Sequence, residues 1–233
     1  MNDVTKIGVI GLGNAGSPIL NNLHKSNKYK LFAFDIDINK LNDVPESVIK
    51  TSSIKNLAEQ CNVVLTCLPK PEHVLEAVDG DEGLLKNALP GTVWIDTSTT
   101  NFKQTQKLAS KAETHDVLML EATLTGGVHA LQNNNMVCLA GGDKETFKIW
   151  KEVLQDAIGE VVVLCGDIGA GAIAKVVSNM LAFTNMVAAS ECMMIAKRAG
   201  LDLENFFDAI RVSAGNSFAW ETVVPHIFNQ KYE

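Results

Sequence analysis

The sequence has no Cys-x-x-Cys pair and no cysteine–histidine spacing of the kind that ligates zinc, and its five cysteines are odd in number. Neither a metal site nor a closed disulfide framework is expected; buried free thiols in a reducing compartment fit better. Clustered basic residues are also missing. The 20 lysines and arginines are scattered among 27 acidic residues, for a net charge of −7, so nucleic acid is not an expected partner. There is no internal repeat and no low-complexity tract. The first apolar run leaves no room for a signal or transit peptide, so a cytoplasmic location is expected. The longest apolar stretch, residues 168–190, approaches the roughly 20 residues that cross a bilayer. It contains Lys175, Ser178, Asn179, Thr184 and Asn185 and has no aromatic belt, so no membrane span is expected.

What is present is ample core-forming material, 46% of the residues being hydrophobic. Runs rich in β-branched residues recur along the first two-thirds: KIGVIGLG, KLFAFDID, CNVVLTCLP, GTVWIDTST, VLMLEATLTGG, NMVCLAGG and EVVVLCGD. Between most of them lie helical spacings, such as residues 18–25, 53–60, 71–77 and 101–114. Strands that are apolar throughout and alternate with helices specify a parallel α/β sheet. After Gly169 the strand signal ends and the chain reads as helix, first to Arg198 and then through LDLENFFDAIRVS. Two domains are expected, 1–166 as a sheet domain and 167–233 as a partial helical one. Too short for a large core of its own, the helical part must pack on something else.

The segment Gly11-Leu12-Gly13-Asn14-Ala15-Gly16 is a GxGxxG loop between a strand and a helical pattern. In that context the first glycine allows a tight turn, the second admits a pyrophosphate close to the backbone, and the third lets helix and strand pack. A Rossmann-type, doubly wound, mostly parallel sheet follows as the expected fold. Asp35 closes the second strand 19 residues after Gly16, near the spacing of about 20 residues for a ribose-binding acid, which favours NAD over NADP. The alternatives are that Asp35 caps the next turn or that Asp37 shares the role.

Ligands of open α/β sheets sit beyond the carboxyl ends of the strands. There the sequence places Leu68-Pro69 as a rigid wall, Ser98 and Thr99 as hydroxyls, and Thr125-Gly126-Gly127, whose bare amides suit a carboxylate. Farther on, Lys175 stands alone on an apolar helix, with Asn179 one turn later on the same face and Gly171 one turn before, expected to leave that face uncrowded. Such a lysine either snorkels to water or is desolvated so that it can move a proton.

In this order and spacing, GLGNAG, Asp35, CLPKPEHV, DTST, TGG and GAGAIAKVVSNM closely resemble the β-hydroxyacid dehydrogenase family, which includes 3-hydroxyisobutyrate dehydrogenase and is more distantly similar to 6-phosphogluconate dehydrogenase. The resemblance implies an NAD(P)-dependent oxidoreductase acting on a small carboxylate substrate. It makes Lys175 the general acid/base, assisted by Asn179. The dinucleotide would lie on residues 11–16, Asp35, Leu68, Pro69 and Thr99; Ser98, Thr125, Gly126 and Gly127 would hold the substrate. It also implies a homo-oligomer formed through the helical domain. The chain departs from the family pattern in three places. EATLTGG stands where Asp-Ala-Pro-Val-Ser-Gly-Gly is usual, HALQNNNMVCLAGG replaces a stretch that normally contains Gly-Thr, and a later helix bearing a second lysine is absent. The last implies a more open site, weaker cofactor retention and an incomplete oligomer interface, or else a fragment. A cofactor-binding sensor or scaffold without turnover is the alternative; a phosphorylated sugar acid fits less well, His129 being the substrate loop's one cationic candidate.

Overall fold

A computed structural model describes residues 4–126 and 128–228; Gly127, one of the substrate-loop candidates, lies outside the described residues. The first elements are β1 (Lys6–Ile10), α1 (Gly16–Ser26), β2 (Lys30–Phe34), β3 (Ile49–Lys50), α2 (Ile54–Ala58), β4 (Val63–Thr66), α3 (Pro71–Asp79) and α4 (Leu84–Asn87). They continue with β5 (Val93–Asp96), α5 (Phe102–Glu113), β6 (Leu118–Thr125), α6 (Val128–Gln132), β7 (Val137–Gly142), α7 (Lys144–Ala157) and β8 (Val162–Gly166). Three helices end the described chain: α8 (Ala170–Arg198), α9 (Leu203–Arg211) and α10 (Phe218–Phe228).

The strands form one sheet in the order β3-β2-β1-β4-β5-β6-β7-β8. Every neighbouring pair is parallel except β6–β7, which pairs antiparallel from Leu120↔Gly142 to Thr125↔Val137. The expected doubly wound, mostly parallel sheet is therefore present, with one short strand more than the sequence suggests. That strand, β3, adds two residues to the β2 edge, Phe32↔Ile49 and Ala33↔Lys50.

Both faces of the sheet are buried, which is why the strands read as unbroken apolar runs. Ile7, Val9, Leu65, Ile95 and Leu120 pack on one face with Leu20 and Leu23 of α1 and Leu154 of α7. Alternate residues, Ile10, Phe32, Val64 and Trp94, pack on the other with Leu57, Leu85 and Leu108. Each such side chain contributes about 1.5–3 kcal/mol through burial. The helix α1 begins at Gly16, two residues earlier than its spacing suggests; Pro18 falls in the first turn, where no intrahelical N–H is required.

By internal contacts the chain divides into two units, 1–175 and 176–233, the division falling within α8. The second unit has a small cluster of its own, in which Trp220 and Val224 of α10 meet Ala189 and Met193 of α8. Trp220 stacks on Phe207 and meets Phe206 edge-on, and its indole N–H donates to the Phe207 carbonyl at 3.1 Å. Asp202 caps α9 by accepting the Asn205 N–H. Among the described residues α8 is long and apolar enough to cross a membrane by length and composition. The cysteines differ from expectation. Cys61 and Cys138 are buried, but Cys165 and Cys192 are exposed, Cys165 lying on the outward-facing positions of the edge strand β8.

Candidate cofactor and active site

The glycine loop lies between β1 and α1, beside the point where the strand order reverses between β1 and β4, the place where open α/β sheets bind their ligands. Gly11 turns the chain with φ +92° and donates its N–H to the Phe34 carbonyl at 2.9 Å. A Cβ on Gly13 would have no atom within 4 Å, so this residue faces open space. That space is a cavity of about 490 Å³ lined by Leu12, Gly13, Asn14, Ser17, Asn21 and Lys40, among others. No side chain caps α1 and its first turn has no acid, so no negative charge opposes an anion at the positive end of the helix. An open cradle, a helix start free of acids and a lysine fit a dinucleotide pyrophosphate.

Asp35 is buried directly after β2. Its Oδ2 accepts the Leu12 N–H at 2.7 Å, its Oδ1 accepts the Asp37 N–H at 2.8 Å, and Lys40 Nζ lies 3.5 Å from Oδ2. The carboxylate thus ties the β2 turn to the glycine loop. Asp37, exposed, accepts the Asn39 N–H and caps a short 3-10 turn.

At the ends of β4 and β5, Leu68 is half-buried, Pro69 and Thr99 are exposed, and Ser98 is buried. The Ser98 hydroxyl accepts the Leu68 N–H at 3.0 Å, so it joins two loops, whereas Thr99 is the hydroxyl open to a ligand. Beneath them Asp96 Oδ1 accepts from Thr66 Oγ1 at 2.8 Å and from the Ser98 N–H at 3.0 Å, and Thr66 in turn accepts the Trp94 indole N–H. Burial pushes the Asp96 carboxyl up to about 6. A carboxyl whose folded pKa lies above its unfolded value binds more protons in the native state, so stability falls as pH rises between the two. The Asp96 contribution should therefore fall by about 3 kcal/mol as the pH rises from 3.8 to 6. Asp96→Asn keeps the shape and should lack this slope. Urea unfolding of both proteins at pH 4 to 7 checks it, and parallel stability curves would refute the assignment.

The residues at the end of β6 and the start of α8 lie together within the first unit. Leu124 and Thr125 are half-buried, and Gly126, at φ +130°, is exposed. The Lys175 ammonium donates to the Leu124 carbonyl, next to Thr125. Burial pulls the Lys175 pKa below its ordinary value. Gly171 does not stand in free space. A Cβ there would sit 2.6 Å from the Leu139 carbonyl oxygen, so the glycine lets α8 press against β7. Asn179 follows Lys175 by one turn on α8 and belongs to the second unit.

Sequence reasoning missed Glu121. This buried β6 carboxylate accepts the N–H groups of Gly169 (2.9 Å) and Gly171 (3.1 Å) on Oε2 and of Ala172 (2.8 Å) on Oε1. Burial raises its pKa and the three amides oppose that rise. The available signal was a charged residue in a strand with no other charge, LMLEATLT.

Residues 6–166 match the NAD binding domain of 6-phosphogluconate dehydrogenase, and residues 169–233 match the NAD-binding domain of NADP-dependent 3-hydroxyisobutyrate dehydrogenase. The human mitochondrial 3-hydroxyisobutyrate dehydrogenase is 33% identical over 95% of this chain, which spans 66% of the human protein's length. A probable 3-hydroxyisobutyrate dehydrogenase of Mycobacterium bovis is 30% identical, with 95% and 74% of the two chains covered. The structure of Mycobacterium tuberculosis 3-hydroxyisobutyrate dehydrogenase with L-serine superposes at a TM-score of 0.89 and 30% identity, over 95% of this chain and 75% of that one. Matched by both family models, by relatives 30–33% identical and by a solved structure at that TM-score, the chain belongs to the β-hydroxyacid dehydrogenase family.

Proposed function

We propose that the chain forms the cofactor-binding and proton-transferring parts of an NAD(P)-dependent oxidoreductase that interconverts a small β-hydroxyacid and its semialdehyde or keto acid. The observation that supports this best is the seat of Lys175. A lysine with a lowered pKa is held at the carboxyl end of β6 beside Thr125 and Gly126, in the same sheet as an open glycine cradle. The bound nicotinamide supplies the hydride acceptor for oxidation and the hydride donor for reduction. The neutral Lys175 amine takes the hydroxyl proton during oxidation, and the ammonium returns it during reduction. Thr125 and the amides after it hold the substrate carboxylate and so fix the reacting carbon. Leu68, Pro69 and Thr99 flank the dinucleotide, and Asn179 assists the lysine from the next turn of α8.

NAD is the proposed cofactor, because a carboxylate buried behind the glycine loop at Asp35 disfavours a 2′-phosphate. The reading extends to a homo-oligomer built through the helical part, supported by the exposed Met180, Leu181, Phe183 and Val187 of α8. Reduced-cofactor formation measured with NAD and NADP against 3-hydroxyisobutyrate, D-glycerate, 3-hydroxypropionate and 4-hydroxybutyrate tests the activity. Binding of NAD without turnover of any of them would favour a sensor or scaffold instead. Asp35→Asn should narrow the NAD preference by about tenfold, or about 1.4 kcal/mol; an unchanged ratio of kcat/KM values would move the discrimination elsewhere.

A further inference from the structure

Glu121 is connected to Lys175 through a short, fully described path. A helix start leaves amide donors without intrahelical partners and with partial positive charge. At the start of α8 three such donors, those of Gly169, Gly171 and Ala172, point at the Glu121 carboxylate. Both neighbouring glycines clear room for it: a Cβ on Gly141 would lie 2.5 Å from Oε2, and one on Gly171 would lie 3.1 Å from it. Two residues along β6, Thr123 Oγ1 donates to the Gly171 carbonyl at 3.1 Å and to the Leu139 carbonyl at 2.9 Å. One residue farther, the Leu124 carbonyl receives Lys175. The strand that ends in the candidate substrate loop therefore holds the lysine helix at its first turn and again at the lysine.

We propose that Glu121 is a positioning residue, which fixes the first turn of α8 on β6 and thereby aims the Lys175 ammonium at the Leu124–Thr125 end of that strand. The inference rests on Lys175 being the proton-transfer group and adds what holds it there. A neutral amide does not replace the carboxylate. Glutamine has one acceptor oxygen and would turn an NH₂ group toward amide donors, whereas aspartate keeps both oxygens and the charge with a shorter reach. The titratable groups around Glu121 are Asp96, opposite it in register on β5, Cys138 on β7 and Cys165 on β8.

The test compares wild type, E121D and E121Q by two readouts. The first needs no turnover: the pH midpoint for modification of Lys175 by an amine-selective reagent, followed peptide by peptide in a mass spectrometer. Burial holds Lys175 below the ordinary lysine range, so a helix loosened from β6 should shift the midpoint upward in E121Q and less in E121D. The exposed Lys6 should keep its midpoint in all three proteins. The second readout is kinetic. E121Q should lose about tenfold to 100-fold in kcat while the cofactor KM stays within about twofold, and E121D should recover most of the loss. A folded E121Q with the wild-type Lys175 midpoint overturns the proposal, as does an equal kinetic loss in both variants. Should E121Q not fold, E121D decides: an upward shift supports the proposal and a wild-type midpoint overturns it. Full activity in Lys175→Ala would instead sink the functional reading, a result that the labelling experiment separates from the positioning role.

Discussion

Replacing Lys175 with alanine should lower kcat by about 1,000-fold for every hydroxyacid the chain turns over, while the dinucleotide Kd stays within about twofold. The asymmetry follows from placement. The glycine cradle is built from β1, α1 and the β2 turn, whereas Lys175 is held by the end of β6, four strands along in the chain and across β4 and β5 in the sheet. Removing its side chain takes one donor from the Leu124 carbonyl and leaves residues 11–16 untouched. The pH dependence has a definite sign. Oxidation needs the neutral amine, so its rate should rise with pH through the lowered Lys175 pKa; reduction needs the ammonium and should fall across the same range. Lys175→Arg sharpens the test, because a guanidinium keeps the charge but does not deprotonate. Arginine should be as inactive as alanine in the oxidative direction. An active Lys175→Arg enzyme would reduce the lysine to a fixed positive charge.

The sheet was legible because burial on both faces leaves a simple trace, an apolar β-branched run bounded by turns. Composition does not encode the direction of a strand. NMVCLAGG would read the same whether β7 ran parallel or antiparallel to β6, and β3, with two residues, is too short to leave any pattern. In the site, the glycine loop and Lys175 were visible because each departs from its local background: three glycines in a strand-to-helix turn, one charge in an apolar helix. Ser98 and Thr99 were not separable, since adjacent residues point in opposite directions and only the fold decides which hydroxyl is turned inward onto the Leu68 N–H. Glu121 was visible as an acid in an otherwise uncharged strand, but its role was not. Its partners are backbone amides 48, 50 and 51 residues later, and backbone donors have no sequence signature. The space at Gly171 likewise belongs to the Leu139 carbonyl, which no local spacing reveals.

Two alanine substitutions three residues apart in the same loop should fail in opposite ways. Gly16→Ala would drive its Cβ into the carbonyl oxygen of Gly11, which is itself held at φ +92° with its N–H on Phe34. The Cβ is fixed by the backbone and meets a backbone oxygen, so no side chain can rotate to relieve the clash. The turn must open, at about 3 kcal/mol or more, and the expected result is a lower unfolding midpoint together with loss of dinucleotide binding. Gly13→Ala meets no atom within 4 Å, so its unfolding midpoint should match wild type. Its methyl group would instead occupy the cradle where a pyrophosphate must approach the backbone, and the dinucleotide Kd should rise by about tenfold or more. Thermal unfolding and calorimetric titration with NAD on the two variants separate these outcomes. Wild-type affinity in a stable Gly13→Ala protein would show that the pyrophosphate does not lie on this loop.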